Sequence, residues 1–492
     1  MNILGISAGF HDAAATVISP SGEILFAGHS ERYSKIKNDS TIHPDLLREL
    51  CEWEYDTVAF YERPWMHNLQ QLYSGQRQLG PWTTRGALRK YLGDWYRYPA
   101  PREVSYPHHL SHAAAGFQTS TFDRATVVVI DAIGELDTIS IFGAEYVNGR
   151  AQYKRLWRQG YPHSIGLMYS AMTARVGLRP NEDEYILMGM SAYGRPNATA
   201  LMKDALIDNE WSMTFRQNLH LGVDEAFLAK HLENDIASSA QSLCENLIYN
   251  VMRRAKNFGW SRNLVYMGGV ALNCLANRNL GEYFENIWIM PCPGDAGSSL
   301  GCAALAHGGP IRFEHAYHGH EIGGSYPVNA VLDSLLYDKI VGVASGRAEF
   351  GPRALGNRSL LADPRGNDIK DRVNEIKRRQ KFRPFAPVIL AEYADEFFDM
   401  PRGFSGSPYM QSVARCRQPD AFPAVVHVDG TSRVQTVDNN GSGIRQLLEK
   451  WYVMTGCPML LNTSLNIRGE PMVNDRADAD RFEREYGVRV HS

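Results

Sequence analysis

The chain has 492 residues, enough for two or three domains with full cores, and its apolar and charged fractions, 44% and 21%, fit an ordinary globular protein. A net charge of −3 excludes a global attraction to nucleic acid or anionic membranes and leaves such partners only local basic patches. Seven scattered cysteines without metal-finger spacing exclude a disulfide framework, and no apolar run approaches the roughly 20 residues that a membrane helix needs.

The N-terminus runs straight into a strand, with no basic region or cleavage site, so a cytoplasmic protein is expected. Residues 2–6 read as that strand, 9–12 as a polar loop carrying His11 and Asp12, 13–18 as a second strand, 20–22 as a turn and 23–27 as a third strand. Residues 82–102 then interleave Arg85, Arg89, Lys90, Arg97 and Arg102 with Trp82, Tyr91, Trp95, Tyr96 and Tyr98. Cations for phosphates and rings for stacking are the ingredients of a nucleic-acid contact. An amphipathic helical insertion with its rings packed inside needs the same residues.

His108 and His112 follow, one helical turn apart, so both rings can face one ion, whereas His109 points about 100° away. Residues 126–130 form an apolar strand that ends at Asp131, where α/β folds place ligand-contacting groups. Two imidazoles beside a hard carboxylate suit a divalent or trivalent transition metal, or Mg²⁺. A loop at 131–137, a strand at 138–142, the Asn148-Gly149 turn and a strand at 151–157 complete a second meander with the plan of the first. The repeat predicts a duplicated ribonuclease-H-like fold, the architecture of actin, Hsp70 and sugar kinases, in which two halves enclose a nucleotide cleft.

Residues 233–258 carry apolar side chains at helical spacing and end at Gly259. A strand at 264–267 leads into Gly268 and Gly269, where backbone can approach a ligand closely, and on to Asn273. The glycine-rich loop 293–299 offers amides to an anion and Asp295 to a metal. Composition shifts after about residue 305: 307–310 and 318–326 read as linker, and 340–344 opens a new α/β unit, which predicts domains over 1–310 and 325–492. In the second, Arg347, Arg353 and Arg358 lie among three glycines, an arrangement suited to cradling an anion. Lys377, Lys381, Arg383, Arg433, Asn462 and Asn466 add to a set that suits a small, highly charged phosphate ligand.

Eight motifs carry a resemblance: Gly9-Phe-His-Asp-Ala-Ala-Ala15, Ser30-Glu-Arg32, His108-His-Leu-Ser-His112, Met188-Gly-Met-Ser-Ala-Tyr-Gly194, Gly268-Gly-Val-Ala-Leu-Asn273, Gly294-Asp-Ala-Gly297, Glu349-Phe-Gly-Pro-Arg-Ala-Leu-Gly-Asn-Arg358 and Asn462-Thr-Ser-Leu-Asn466. In order along nearly the whole chain, they resemble the O-carbamoyltransferase family of nodulation, cephamycin and aminoglycoside carbamoyltransferases. Leu465, often phenylalanine in the family, and Met190-Ser-Ala are mild departures. The resemblance implies a Kae-like N-terminal domain and a YrdC-like C-terminal α/β domain. The latter makes carbamoyl adenylate from carbamoyl phosphate and ATP, and the former transfers the carbamoyl group at a metal site. It implies His108, His112, Asp131 and Asp295 as metal ligands, with iron first and manganese or magnesium as alternatives. It also implies Arg347, Arg353, Arg358, Lys377, Arg383, Arg433, Asn462 and Asn466 as carbamoyl phosphate and nucleotide contacts, and Gly268, Gly269 and Asn273 as adenylate contacts.

The acceptor alcohol must lose a proton as it attacks, and His11, beside Asp12, is the candidate base. The acceptor is either a small molecule such as a sugar or natural product, or a 5-hydroxymethylpyrimidine in DNA gripped by Arg85, Arg89, Lys90 and Arg97. The setting implied is a bacterial or phage-infected cytoplasm, with no membrane partner and with a homodimer as the expected assembly. The competing class is a kinase-like or non-catalytic member of the same superfamily.

Overall fold

The computed structural model describes residues 1–75, 79–96 and 102–492. It divides into two compact units. The first comprises residues 1–34, 38–272 and 280–315; the second comprises 316–492 with two short segments, 35–37 and 273–279.

In the first unit, Asn2–Ser7 pairs antiparallel with Ala14–Ile18, which pairs antiparallel with Ile24–His29. On its other side Asn2–Ser7 runs parallel to Tyr55–Phe60, and that strand runs parallel to Arg102–Ser105. The second sheet repeats this order strand for strand: Arg150–Gly160, Asp137–Val147, Arg124–Gly134, Asn263–Met267 and Asn286–Trp288. Register repeats as well, since Leu4 faces Val17 and Val58 while Val128 faces Ile141 and Tyr266. The central strands are near-continuous apolar runs, with Val127 to Ile130 fully buried, as strands covered on both faces require.

In each half a helix follows the fifth strand, His108–Phe117 in the first and Gly297–His307 in the second, and the two helices pack together. Small side chains allow this: a Cβ on Gly301 would lie 1.8 Å from the Ser111 carbonyl oxygen. The first unit is thus the duplicated ribonuclease-H-like fold that the two meanders predict.

The second unit is built on a mixed six-stranded sheet in the order Gln435–Val437, Ala386–Leu390, Met459–Ser464, Arg358–Ala362, Ile340–Ala344 and Val490–His491. Strand alternation makes two cores. Val341 and Val343 meet Val331, Leu335, Leu447 and Trp451 of the helices Val328–Tyr337 and Gly443–Thr455, while Ile340 and Ala344 meet Val373 and Phe482. This is the α/β class expected. The linker reading of 318–326 is corrected: Tyr317–Ile322 is a strand, paired antiparallel with Gly346–Glu349. Its histidines and glycines show no local alternation, because its order comes from a partner distant in sequence.

Candidate active site

His108 opens its helix directly after Pro107, and His112 follows one turn later on the same face. Asp131 lies beyond Ile130, where the ladder with the neighbouring strand is interrupted until Gly134, and Asp295 lies in the loop before Gly297–His307. The four side chains converge. The Nε2 atoms of His108 and His112 are 3.1 Å apart. Asp131 Oδ2 is 3.4 and 3.3 Å from them, and Asp295 Oδ1 is 3.3 and 3.2 Å. All four residues are buried, with ligand atoms within 4.8 Å of one another.

Neighbouring groups hold the cluster from behind. His112 Nδ1 is 3.2 Å from Ser298 Oγ, and His108 Nδ1 faces Glu62 Oε2 at 3.7 Å. Asp131 Oδ1 accepts from the amides of Ala132 and Gly269 at 2.9 and 3.2 Å. The preceding residue, Gly268, has φ +90° and leaves no room for a Cβ, which would lie 2.2 Å from the Ile130 carbonyl oxygen. Asp295 Oδ1 is buried and has no hydrogen-bond partner among the described residues. An orphaned carboxylate oxygen facing two imidazole nitrogens and a second carboxylate fits a cation. Two nitrogen and two oxygen donors could hold iron, manganese, cobalt or zinc, and suit magnesium less, which prefers oxygen throughout.

In the ion-free protein these groups charge one another. Burial opposes charge on both carboxylates. Hydrogen bonds to His108 and His112 nevertheless hold Asp131 well below its ordinary value, and the charges of His11 and His108 hold Asp295 down too. His11 Nε2 lies 3.6 Å from Asp295 Oδ2, and its Nδ1 lies 3.1 Å from Asp12 Oδ2. Burial lowers the imidazole's pKa, but Asp295 and then Asp12 outweigh this and push it up to about 10. The two carboxylates thus favour the charged form of the His11 imidazole. It can act as a base only when the charge of Asp295 is taken up elsewhere.

In the second unit the structure brings together part of the expected phosphate set. Lys377 Nζ is buried and donates to Ser464 O and Oγ and to Asn466 O and Oδ1, the latter two at 2.9 Å each. Burial, then the charges of Arg379, Arg383 and Lys37, pull its ammonium well below the ordinary value. Asn462 Nδ2 donates to Gln435 Oε1 at 2.7 Å and to Ala354 O at 3.1 Å, while its Oδ1 and the Nε of Arg433 are buried without a hydrogen-bond partner among the described residues. Arg353 and Arg383 are half-buried, and Arg347 Nε is 3.6 Å from Glu321.

Arg358 departs from the expectation. It is fully buried, and all five of its N–H groups reach carbonyl oxygens, of Asn474, Ser345, Asn357, His320 and Gly346, at 2.9 to 3.1 Å. Its guanidinium staples the loop and has no donor left for phosphate. The amides of Leu355, Asn357 and Arg358 in the same loop turn inward as well, onto Glu349 Oε1 at 2.7, 3.0 and 3.2 Å. Asn273 caps a short turn by accepting from the Ala276 amide at 3.1 Å, and belongs to the second unit.

Comparison with known proteins bears on this arrangement. The family model described as carbamoyltransferase N-terminus matches residues 85–304, and that described as carbamoyltransferase C-terminus matches 332–490. The uncharacterised protein sll1178 of Synechocystis sp. is 32% identical, over 98% of this chain and 94% of its own. The chain belongs to the carbamoyltransferase family. Nodulation protein NolNO of Sinorhizobium fredii is 30% identical over 95% of this chain and 76% of its own. Among solved structures, the activator of the 2-hydroxyisocaproyl-CoA dehydratase from Clostridium difficile overlaps 62% of this chain and 94% of its own at 14% identity and a TM-score of 0.36, too loose a likeness to carry weight. As a carbamoyltransferase the chain is a transferase enzyme, and none of its described helices is long and apolar enough to cross a membrane.

Several described residues of the basic and aromatic segment of this carbamoyltransferase are engaged with residues outside it. In and after the helix Thr84–Leu92, Tyr91 stacks on Phe60 at 5.9 Å, and buried Tyr96 donates its hydroxyl to Glu103 at 2.7 Å. Arg85 Nε donates to both oxygens of Glu103, at 2.8 and 3.2 Å, and Lys90 Nζ sits 5.1 Å from the centre of the Tyr91 ring. Arg89 is exposed, and Arg97 lies outside the described residues. Glu62 lies outside the expected set, although it shares a signal with Asp131: it directly follows a buried apolar run, Val58 to Tyr61, as Asp131 directly follows Val127 to Ile130. Ser298, in the first turn of Gly297–His307, is a second supporting group outside the expected set.

Proposed function

We propose that this carbamoyltransferase forms carbamoyl adenylate from carbamoyl phosphate and ATP in its C-terminal domain, and delivers the carbamoyl group to a hydroxyl of a small molecule at the His108, His112, Asp131 and Asp295 cluster. The domain limits proposed are those read from the sequence, 1–310 and 325–492. The observation that carries the reading is the convergence of those four buried side chains, with an orphaned Asp295 oxygen and His11 beside them, in a chain of this family.

Carbamate is a poor electrophile, and adenylation gives it a good leaving group. Water opens carbamoyl phosphate to carbamate and phosphate, and a carbamate oxygen attacks the α-phosphorus of ATP and expels pyrophosphate. Arg347, Arg353, Arg383 and Arg433 offer guanidinium forks for these anions, and an anion beside Lys377 relieves the repulsion it feels from Arg379, Arg383 and Lys37. In the second step the acceptor oxygen attacks the carbamoyl carbon, the bond from that carbon to the AMP oxygen breaks, and the hydroxyl proton passes to His11. A metal ion held by the cluster, iron first among the candidates, supplies positive charge beside the reacting groups. Burial of the cluster keeps water from the hydrolysable anhydride.

A small molecule is favoured over DNA because Arg85 is engaged with Glu103, Tyr91 stacks on Phe60, and Tyr96 is buried with its hydroxyl on Glu103. The test combines enzyme, ATP, carbamoyl phosphate and Fe²⁺ or Mn²⁺ with panels of sugars, natural products and 5-hydroxymethylcytosine DNA. Pyrophosphate release and a carbamoyl mass gain on a small hydroxyl compound are expected, with little change between about 50 and 200 mM salt. A DNA substrate gripped by Arg85, Arg89, Lys90 and Arg97 would instead lose about two orders of magnitude in affinity over that range. Absence of pyrophosphate, or ADP as the product in a kinase-like reaction, overturns the proposal.

A further inference from the structure

The two histidines of the cluster are supported differently. His112 has a neutral hydroxyl behind it, Ser298 Oγ at 3.2 Å from Nδ1. His108 has a carboxylate: Glu62 Oε2 is 3.7 Å from a buried Nδ1 that makes no hydrogen bond among the described residues. Glu62 is itself 8% exposed, and its other oxygen lies 3.4 Å from His67 Nδ1. The next residue, Arg63, grips Glu135 through its backbone amide at 2.7 Å and its Nη2 at 2.5 Å. The pair Glu62 and Arg63 thus meets both the first histidine and the segment just beyond Asp131. A move of about 1 Å would bring Glu62 to the charge-assisted hydrogen-bond distance from His108.

We propose, resting on the reading of the cluster as a metal centre, that Glu62 is a positioning residue. Its carboxylate accepts a hydrogen bond from Nδ1–H of His108 and so fixes the tautomer whose Nε2 lone pair faces the ion, with His67 holding Glu62 in place. Outer carboxylates of this kind orient a ligating imidazole and raise its donor strength. The asymmetry follows directly: His108 is the stronger donor of the two, and His112 the weaker.

The test is Co²⁺ titration of the metal-stripped full-length chain, followed by visible absorption, for wild type, Glu62→Gln, Glu62→Asp and His67→Gln. Glu62→Gln should weaken Co²⁺ binding by about 10- to 100-fold and shift the absorption bands, still with one ion per chain. Glu62→Asp, which keeps the charge, should recover part of both. His67→Gln should weaken binding in the same direction by less, and it decides the matter should Glu62→Gln fail to fold. Affinities within about twofold of wild type for both Glu62→Gln and His67→Gln, or a lowered melting temperature with unmoved bands, overturn the proposal. Should wild type take up no Co²⁺ that His112→Ala abolishes, the metal reading itself fails, a distinct outcome.

Discussion

Two Nε2 atoms 3.1 Å apart cannot both keep a proton pointed at the other, so the space between His108 and His112 favours either one shared proton or a cation. His112→Ala should therefore abolish tight metal uptake and reduce carbamoyl transfer by more than the roughly 10- to 100-fold that outer-shell changes produce, as read by metal analysis and by product mass. His11 gives a pH signature. Its folded value of about 10 lies above the unfolded value of about 6.5, so its contribution to stability is complete below about 6.5 and is lost as pH rises through about 10. NMR titration of the ion-free protein should place the imidazole midpoint well above 8, and a midpoint near 6.5 would show that Asp295 does not act on it as described. The i, i+4 spacing made the histidine pair legible, and the strand-end rule found Asp131. The strand-end rule marks Glu62 as well but does not pair it with His108, because what brings the two together is the parallel pairing of Tyr55–Phe60 with Arg102–Ser105, a contact between segments distant in sequence. Arg358 misled for a related reason: glycines and arginines suggest an anion cradle, and only the folded loop shows five carbonyl oxygens already on its guanidinium.

The packed pair of helices is what holds the ligands in register. Gly301→Val would place a Cβ 1.8 Å from the Ser111 carbonyl, one residue before His112, and should destabilise the protein by about 1 to 3 kcal/mol or more while weakening metal binding. Thermal melting and Co²⁺ titration read the two effects separately. In the second unit, Asp363 follows the strand Arg358–Ala362 and binds Arg365, whose guanidinium lies 5.6 Å from the Trp451 ring centre, on the helix Gly443–Thr455. Burial raises the Asp363 pKa, yet its hydrogen bonds to Arg365 leave it below the ordinary value. The pair's stabilisation is thus present above about pH 3.9 and lost as pH falls through the lower folded value. Asp363→Asn should lower the melting temperature at pH 7, and the deficit should shrink as pH falls below about 4. At this scale the meanders and the long helix were legible because their apolar patterns are local, whereas Tyr317–Ile322 exists through a distant partner.

Across the whole chain, a two-step chemistry predicts separable defects. Arg353→Ala should lose pyrophosphate release yet still transfer from supplied carbamoyl adenylate, and His112→Ala should keep pyrophosphate release and lose transfer; the swapped pattern would reverse the division of labour, and loss of both activities in each variant would remove it. The first unit carries its five-strand order twice. One copy of the fold contributes both nitrogens, from the helix that closes it, and the other contributes both oxygens, from its first strand and the loop before its own closing helix. Two identical subunits related by a twofold axis would have to offer the same atoms twice. Joining the copies in one polypeptide lifted that symmetry and let each specialise in a single donor element, so an ion seated in this site certifies that both copies have folded and found each other.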